Sequence, residues 1–147
     1  MFDTAQPYIA CFLVLRDGDK VAFVLRGEAT KWMAGYYGLP AGKVEKGESF
    51  SVGAIREGLE EVGVNVEHKD LKFVHAMHRH AEDMDWVDVY FEASRWEGEV
   101  INAEPHMHEE VAWLDMKNLP DNVIPPVKAV LESIGKGEKY SEFGWSN

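Results

Sequence analysis

Apolar residues follow two different spacings along this chain, and the changes between them mark its elements. Tyr8 to Leu15 (YIACFLVL) is a nearly unbroken apolar run rich in strand formers, followed by the turn signal Arg16-Asp17-Gly18-Asp19 and a second run from Lys20 to Arg26. The pair predicts a buried hairpin. From Trp32 to Val44 the helical period is absent and Gly35, Gly38, Pro40 and Gly42 interrupt the chain, which predicts a structured loop entering a strand near Gly38-Leu39-Pro40. From Phe50 to Val62 the period changes: Ile55, Leu59 and Val62 fall at i, i+4 and i+7, predicting a helix with those three side chains toward the core. Ser49 or Ser51 can cap its start, and Gly63 suits the left-handed position past its end.

Leu71 to His80, Trp86 to Ala93 and Val111 to Leu114 read as strands. Val123 to Ile134 reads as a second helix, with Val127, Val130, Leu131 and Ile134 on one face, Pro125 and Pro126 in its first turn and Gly135 as its stop. The tail from Lys136 to Asn147 carries Tyr140, Phe143 and Trp145 and is expected to fold back over the domain. The alternation predicts an α/β fold, a mixed sheet sandwiched between helices, because a helix on each face buries both apolar stripes. With 147 residues and no repeat or long linker, one domain spanning residues 1–147 is expected.

Composition narrows the partners. No apolar run approaches the ~20 residues of a membrane span, so no membrane partner is expected. The start, Met1-Phe2-Asp3-Thr4, lacks a basic region and apolar stretch, and Cys11 has no second cysteine to pair with; a cytoplasmic location is expected. The formal charge is −11, and from His80 to Glu110 ten acids face one base, Arg95. Such a surface repels long nucleic acid, whose binding requires Lys and Arg against phosphates, but admits a small phosphate ligand that arrives with cations. A homodimer is compatible with the sequence.

The segment Gly42 to Val64 carries the chemistry. On a helix, Glu57, Glu60 and Glu61 are related by i, i+3 and i, i+4, which brings three carboxylates to one side. A run of glutamates is most often a solvated face, and from the carboxylates alone that interpretation is favoured. A divalent cation would relieve their repulsion, and magnesium, which prefers oxygen ligands shared between carboxylates and substrate phosphates, is the natural candidate.

The flanking residues decide between the two. Gly42, Glu48, Arg56, Glu57, Glu60, Glu61, Gly63 and Val64 occupy the fixed positions of a pattern, G-x5-E-x7-R-E-U-x-E-E-x-G-U with U a bulky aliphatic, that resembles the box of the Nudix hydrolases, MutT-like enzymes among them. Gly58 is the single departure, standing where an aliphatic is expected. Gly35 to Ala41 is similar to the family's lead-in, and Trp113-Leu114 with Leu119-Pro120 to its closing strand and turn.

The resemblance implies Mg2+, with Mn2+ as a substitute, on Glu57, Glu60, Glu61 and the backbone carbonyl of Ala41. It implies hydrolysis of a diphosphate bond in a nucleoside phosphate, with Arg56 and Glu48 pinning the loop onto the helix. The base is expected at Glu61, or alternatively at Glu110 or Glu109 downstream. Proline or tyrosine markers of other subfamilies, expected roughly 15–18 residues past the box, are missing from Arg79, His80, Ala81 and Glu82, which shifts the expectation toward a triphosphatase for ordinary or oxidised nucleotides. Trp32, Tyr36, Tyr37 and Trp86 are candidates to stack on a base, although packing is the commoner role of aromatics, and Arg26 and Arg79 are candidates for phosphate. The pairs His78/His80 and His106/His108 are weaker candidates for a transition metal. A catalytically silent Nudix-fold sensor is the alternative, and an acidic interaction protein a second rival; a silent module would be expected to have lost one of the three glutamates, and all are present.

Overall fold

Strand β1 (Tyr8–Asp17) is apolar on both sides because both sides are covered. The computed structural model describes residues 3–146; Met1, Phe2 and Asn147, parts of the start and tail considered above, lie outside the described residues. The remaining elements are β2 (Lys20–Arg26), β3 (Tyr37–Gly38), β4 (Ala41–Lys43), α1 (Phe50–Val62), β5 (Lys72–Ala81), β6 (Met84–Ala93), β7 (His108–Asp115), α2 (Pro125–Gly135) and β8 (Tyr140–Phe143). This is the mixed α/β architecture that the residue pattern predicted.

The expected hairpin exists only at its tip. β1 and β2 pair at Arg16↔Val21 and Asp17↔Lys20 and then diverge. β1 continues along β6, parallel, from Tyr8↔Trp86 to Leu15↔Ala93, and its other edge takes β4 at Ala10, Cys11 and Phe12. β2 instead pairs with β7 over its length and with β3 at Val24 and Leu25. The opening between the diverging strands lets the short β4, and the loop that follows it, reach the middle of the sheet.

Each helix closes one core. On one face Leu13, Leu15, Ala22 and Val24 pack with Val62, Val64 and Val66 at the end of α1. On the other, Val14, Phe23, Met77 and Tyr90 pack with Val127, Val130 and Leu131 of α2. Pro125 and Pro126 occupy the first turn of α2, where the absent N–H groups would have no helical partner. The tail folds back as β8, parallel to β5, and His75, fully buried, bonds Glu138 O (2.9 Å) and Ser141 Oγ (2.7 Å) across that junction.

Helix α1 matches its predicted limits, with Ser49 Oγ accepting from Val52 N at 3.3 Å and Gly63 left-handed at φ 72°. Its expected apolar face does not. Leu59 is 53% exposed and Ile55 half-buried, while the buried stripe is Gly53, Ala54, Glu57, Gly58, Glu61 and Val62. Small residues in that stripe let the helix approach β1 closely, and this explains Gly58: a Cβ there would stand 2.6 Å from Leu13 Cδ2.

Helix propensity favours alanine over glycine by about 1 kcal/mol, whereas overpacking a filled core costs about 1–3 kcal/mol. Leu13 is fully buried, so packing should win. Gly58→Ala is expected to lower the Tm by several degrees, and trimming the obstacle with Leu13→Val should make the double variant lose less than the two singles together. An alanine variant that melts at or above the wild-type temperature would show that the helix has room to spare.

Candidate active site

The inward stripe of α1 carries two carboxylates into the sheet. Glu57 is 9% exposed and Glu61 7% exposed, whereas Glu60 lies outside at the surface. Glu61 Oε2 accepts the N–H of Ala41 at 2.6 Å; the contact seen at Ala41 is through its N–H, not the carbonyl that the resemblance implies. Glu57 Oε1 occupies the space that a Cβ on Gly42 would fill. Gly42 therefore makes room for a carboxylate; a turn is the role of Gly47, at φ 85°.

Arg56 ties these groups together. Its Nε and Nη2 donate to Glu48 Oε2 and Oε1 at 2.8 and 2.9 Å, a bidentate pair, and Nη1 donates to Glu57 Oε1 at 2.8 Å and Glu60 Oε2 at 3.3 Å. Nη2 also reaches Lys43 O at 3.3 Å, so one guanidinium joins the helix to the loop and to β4. The electrostatic consequences diverge. Hydrogen bonds from Arg56 hold the Glu48 carboxyl down at about 2, while Arg56 itself is pushed further up. Burial raises Glu57 against the opposing pull of Arg56, and burial together with the charge of Glu57 raises Glu61 well above the ordinary carboxylate range.

A third carboxylate arrives from downstream. The segment after β6 docks on the end of α1, where Ile101 N donates to Val62 O (3.0 Å) and Ala103 N to Glu61 O (3.1 Å), satisfying carbonyls that the helix leaves free. Asn102 braces the turn, accepting from Glu104 N and donating to His108 O at 2.7 Å. A register shift opposite Leu25/Arg26 then pairs Glu110 with Leu25 and His108 with Arg26, which sets Glu109 outside the ladder. As a result Glu104 and His108, not Glu109 or Glu110, gather beside Glu61, with ligand atoms within 4.8 Å of one another. Glu110 instead accepts from the hydroxyl of Tyr37 at 2.7 Å.

Next to these carboxylates lies a cavity of about 510 Å³ that shares Ala41 and Gly42 with them. Phe12, Leu39, Tyr90 and Ile124 make it apolar, while Tyr8, Trp32 and Trp86 add aromatic faces. Arg26 lines it, donating through Nε to Trp32 O at 2.8 Å; burial lowers its pKa, and the charge of Glu61 partly restores it. Arg79 lines it too, but its Nε and Nη2 are committed to Asp88 at 2.6 and 3.2 Å, and its guanidinium lies 4.8 Å from the Trp86 ring. Of the candidate ligand-binding residues, Arg26, Trp32, Arg79 and Trp86 thus share the cavity, whereas Tyr36 and Tyr37 lie outside its lining.

The histidine pairs separate. His78 and His80 both meet the Trp145 ring, and His80 Nδ1 bonds Asp85 at 2.9 Å. His106 is exposed while His108 is buried in the carboxylate cluster. Sequence reasoning missed Glu104 altogether and saw His108 only in the wrong company.

The NUDIX domain model matches residues 5–133. The chain belongs to the Nudix family. As a Nudix hydrolase it is 30% identical over 116 residues, 77% of this chain and 84% of the relative, to the 8-oxo-dGTP diphosphatase of Escherichia coli (strain K12). The MutT NUDIX hydrolase from Burkholderia pseudomallei superposes with a TM-score of 0.76 at 27% identity, covering 86% of this chain and 97% of that one. The MutT protein from Methanosarcina mazei Go1 shares the fold, with a TM-score of 0.77 at 18% identity over 91% of this chain and 97% of that one. No described helix of this Nudix hydrolase is long and apolar enough to cross a membrane.

The Glu48–Arg56 pair gives a pH test. A carboxyl whose pKa is depressed on folding contributes stability that is complete above its unfolded value and is lost as pH falls toward the folded one. Here that window runs from the ordinary glutamate value of 4.5 down to about 2. Glu48→Gln is expected to destabilise the protein by about 1–2 kcal/mol at pH 7, and denaturant titrations should show the deficit shrinking as pH drops through 4.5. A deficit independent of pH would assign the loss to packing rather than charge.

Proposed function

We propose that this chain hydrolyses a diphosphate bond in a nucleoside di- or triphosphate or related nucleoside diphosphate derivative, with Mg2+ on Glu57, Glu60, Glu61 and Ala41 and Mn2+ as a substitute. The observation that carries the proposal is the pair of buried carboxylates packed against Ala41 and Gly42, two residues that also line an apolar, aromatic-rimmed cavity. Two anionic groups raised by burial, with one arginine already shared among four glutamates, are short of positive charge. An all-oxygen donor set of that kind suits magnesium.

When bound, the metal would neutralise charge on the diphosphate and acidify water next to it. The protein's own groups supply the rest. Arg26, near Glu61 at the cavity wall, would meet phosphate, and the faces of Trp86, Tyr8 and Trp32, which line the cavity, would hold a base. Arg79 contributes what Asp88 leaves of its guanidinium donors. Water attacks phosphorus, the anhydride P–O bond breaks as the new P–O bond forms, and a carboxylate takes the water's proton. Glu61 is the first choice for that base; Glu104, which the fold places beside it, takes the place held by Glu109 and Glu110 in the expectation. The similarity to a relative named as an 8-oxo-dGTP diphosphatase favours oxidised purine nucleotides among the substrates to test. A cytoplasmic location and action as a single domain of residues 1–147 belong to the same proposal, and a homodimer is compatible with it.

A panel of ordinary and oxidised nucleoside triphosphates, assayed for phosphate or pyrophosphate release with and without Mg2+, tests this directly. Release should require the metal, and Glu61→Gln, which keeps shape but removes charge, should reduce turnover at least tenfold while the protein stays folded. Wild-type turnover in a folded Glu61→Gln variant, or release that ignores Mg2+, would remove the basis of the assignment.

A further inference from the structure

Arg79 lines the cavity with only part of its guanidinium free. Nε and Nη2 each give one N–H to Asp88, at 2.6 and 3.2 Å, along one side of the group. The Trp86 ring lies 4.8 Å away, so an ion pair and an aromatic face together fix the guanidinium in direction. A guanidinium carries five N–H donors in a rigid fork. Two are spent on Asp88. Nη1 bonds none of the described residues and is not buried; with the second N–H of Nη2 it forms a parallel pair of donors at the free end of the group.

Two observations decide what that pair can meet. Asp88 is fully buried, so it neutralises Arg79 without offering a ligand an acceptor of its own. This corner of the cavity is rich in donors but carries no net charge from the pair, which suits a neutral acceptor better than a phosphate. Arg26, whose Nε bonds the Trp32 carbonyl and no carboxylate, keeps its charge for that role. The position agrees. Arg79 on β5 stands beside Trp86 on β6, Trp86 beside Tyr8 on β1, and β4 runs along the other edge of β1. Three strand spacings of about 4.8 Å set Arg79 roughly 14 Å from the strand against which Glu57 and Glu61 are buried, a length that a base and its phosphates span.

We propose that Arg79, positioned by Asp88, reads the edge of the substrate's base and selects a 6-oxopurine. That base presents two adjacent acceptors, O6 and N7, to the donor pair, whereas adenine presents one acceptor and an amino donor. A pyrimidine offers the pair a single oxygen. An 8-oxopurine carries a hydrogen on N7 and offers O6 alone, so Arg79 ranks the unmodified base above the oxidised purines of the panel. The inference rests on the nucleotide reading above and adds to it the residue that chooses the base.

Calorimetric titration of the full chain with nucleoside monophosphates, without metal, tests this apart from hydrolysis. Guanosine monophosphate should bind roughly tenfold or more tightly than adenosine monophosphate, with the 7-deazaguanosine and 8-oxoguanosine monophosphates, each lacking the N7 acceptor, between them. Arg79→Lys keeps a cation opposite Asp88 but has no fork, so the guanosine preference should shrink to about twofold or less in the folded variant. An ion pair that is only structural predicts the opposite: both affinities fall together and their ratio persists. The proposal is overturned by wild-type protein that binds guanosine and adenosine monophosphates equally or binds neither at millimolar concentration, and by a folded Arg79→Lys variant with undiminished preference. If Arg79→Lys does not fold, the neutral pair Arg79→Gln with Asp88→Asn is measured by the same ratio. The 7-deaza comparison needs no variant, and 7-deazaguanosine monophosphate bound as tightly as guanosine monophosphate overturns the proposal by itself. Selective binding without hydrolysis of any nucleotide would instead count against the proposed function alone.

Discussion

Two glutamates facing inward from one helix are the constraint around which the rest is arranged. Burying a carboxylate is expensive unless it is paired or hydrogen-bonded. Glu57 is held by Arg56, and Glu61 by the N–H of Ala41. These contacts dictate the neighbours: Gly42 must lack a side chain, β4 must enter beside β1, and β1 must leave β2 to admit it. The helix must also lie close to the sheet, which is why Gly58 stands between the acids against Leu13, while Gly53 and Ala54 continue the small-residue stripe toward the helix start. Arg56 then anchors the loop through Glu48 and reaches Lys43 O, so hydrogen bonds join the loop, the helix and β4.

The cavity inherits its position from the same arrangement. Because β4 sits against Ala10, Cys11 and Phe12, the even-numbered side chains of β1 line the cavity wall while the odd-numbered ones pack beneath α1. α2 packs on the same face through Val127, Val130 and Leu131, and its Pro126 and Val127 join Ala41 in lining the cavity. A small ligand bound there would meet the aromatic faces of Tyr8, Trp32 and Trp86 and, at Ala41 and Gly42, the residues that hold the buried carboxylates. That division suits a molecule with a flat apolar part and a charged tail.

Much of this was legible in the residues. Most strands and both helices followed from periodicity because most segments bury one continuous stripe, although β7 extends past the expected Val111 to Leu114 at both ends and the strand expected near Gly38-Leu39-Pro40 splits into β3 and β4; the box was legible because Arg56, Glu57, Glu60 and Glu61 have fixed spacing within a single helix. The face of α1 was not. Periodicity assigns Leu59 to the core, yet a helix packed through glycine and alanine turns its carboxylates inward and leaves Leu59 in solvent. Glu104 was hidden for a different reason: it lies in an acidic stretch, and only hydrogen bonds to the last carbonyls of α1, together with a register shift in β7, bring it to Glu61. The divergence of β1 and β2 was equally silent, since a two-residue turn between apolar runs gives the same signal whether the strands stay paired or separate.

The account rests on buried acids that lack sufficient countercharge, and the melting temperature of the metal-free protein, with and without Mg2+ across pH, addresses that claim most directly. Glu57 and Glu61 have pKa values raised on folding, so their penalty is absent below the ordinary glutamate value of 4.5, grows as pH rises, and is complete above the folded values. A bound cation removes that penalty only where the carboxylates would otherwise carry charge. Mg2+ should therefore raise the Tm clearly at pH 8, with the increment fading toward pH 4.5. No increment at pH 8, or one of equal size at both pH values, would contradict the account.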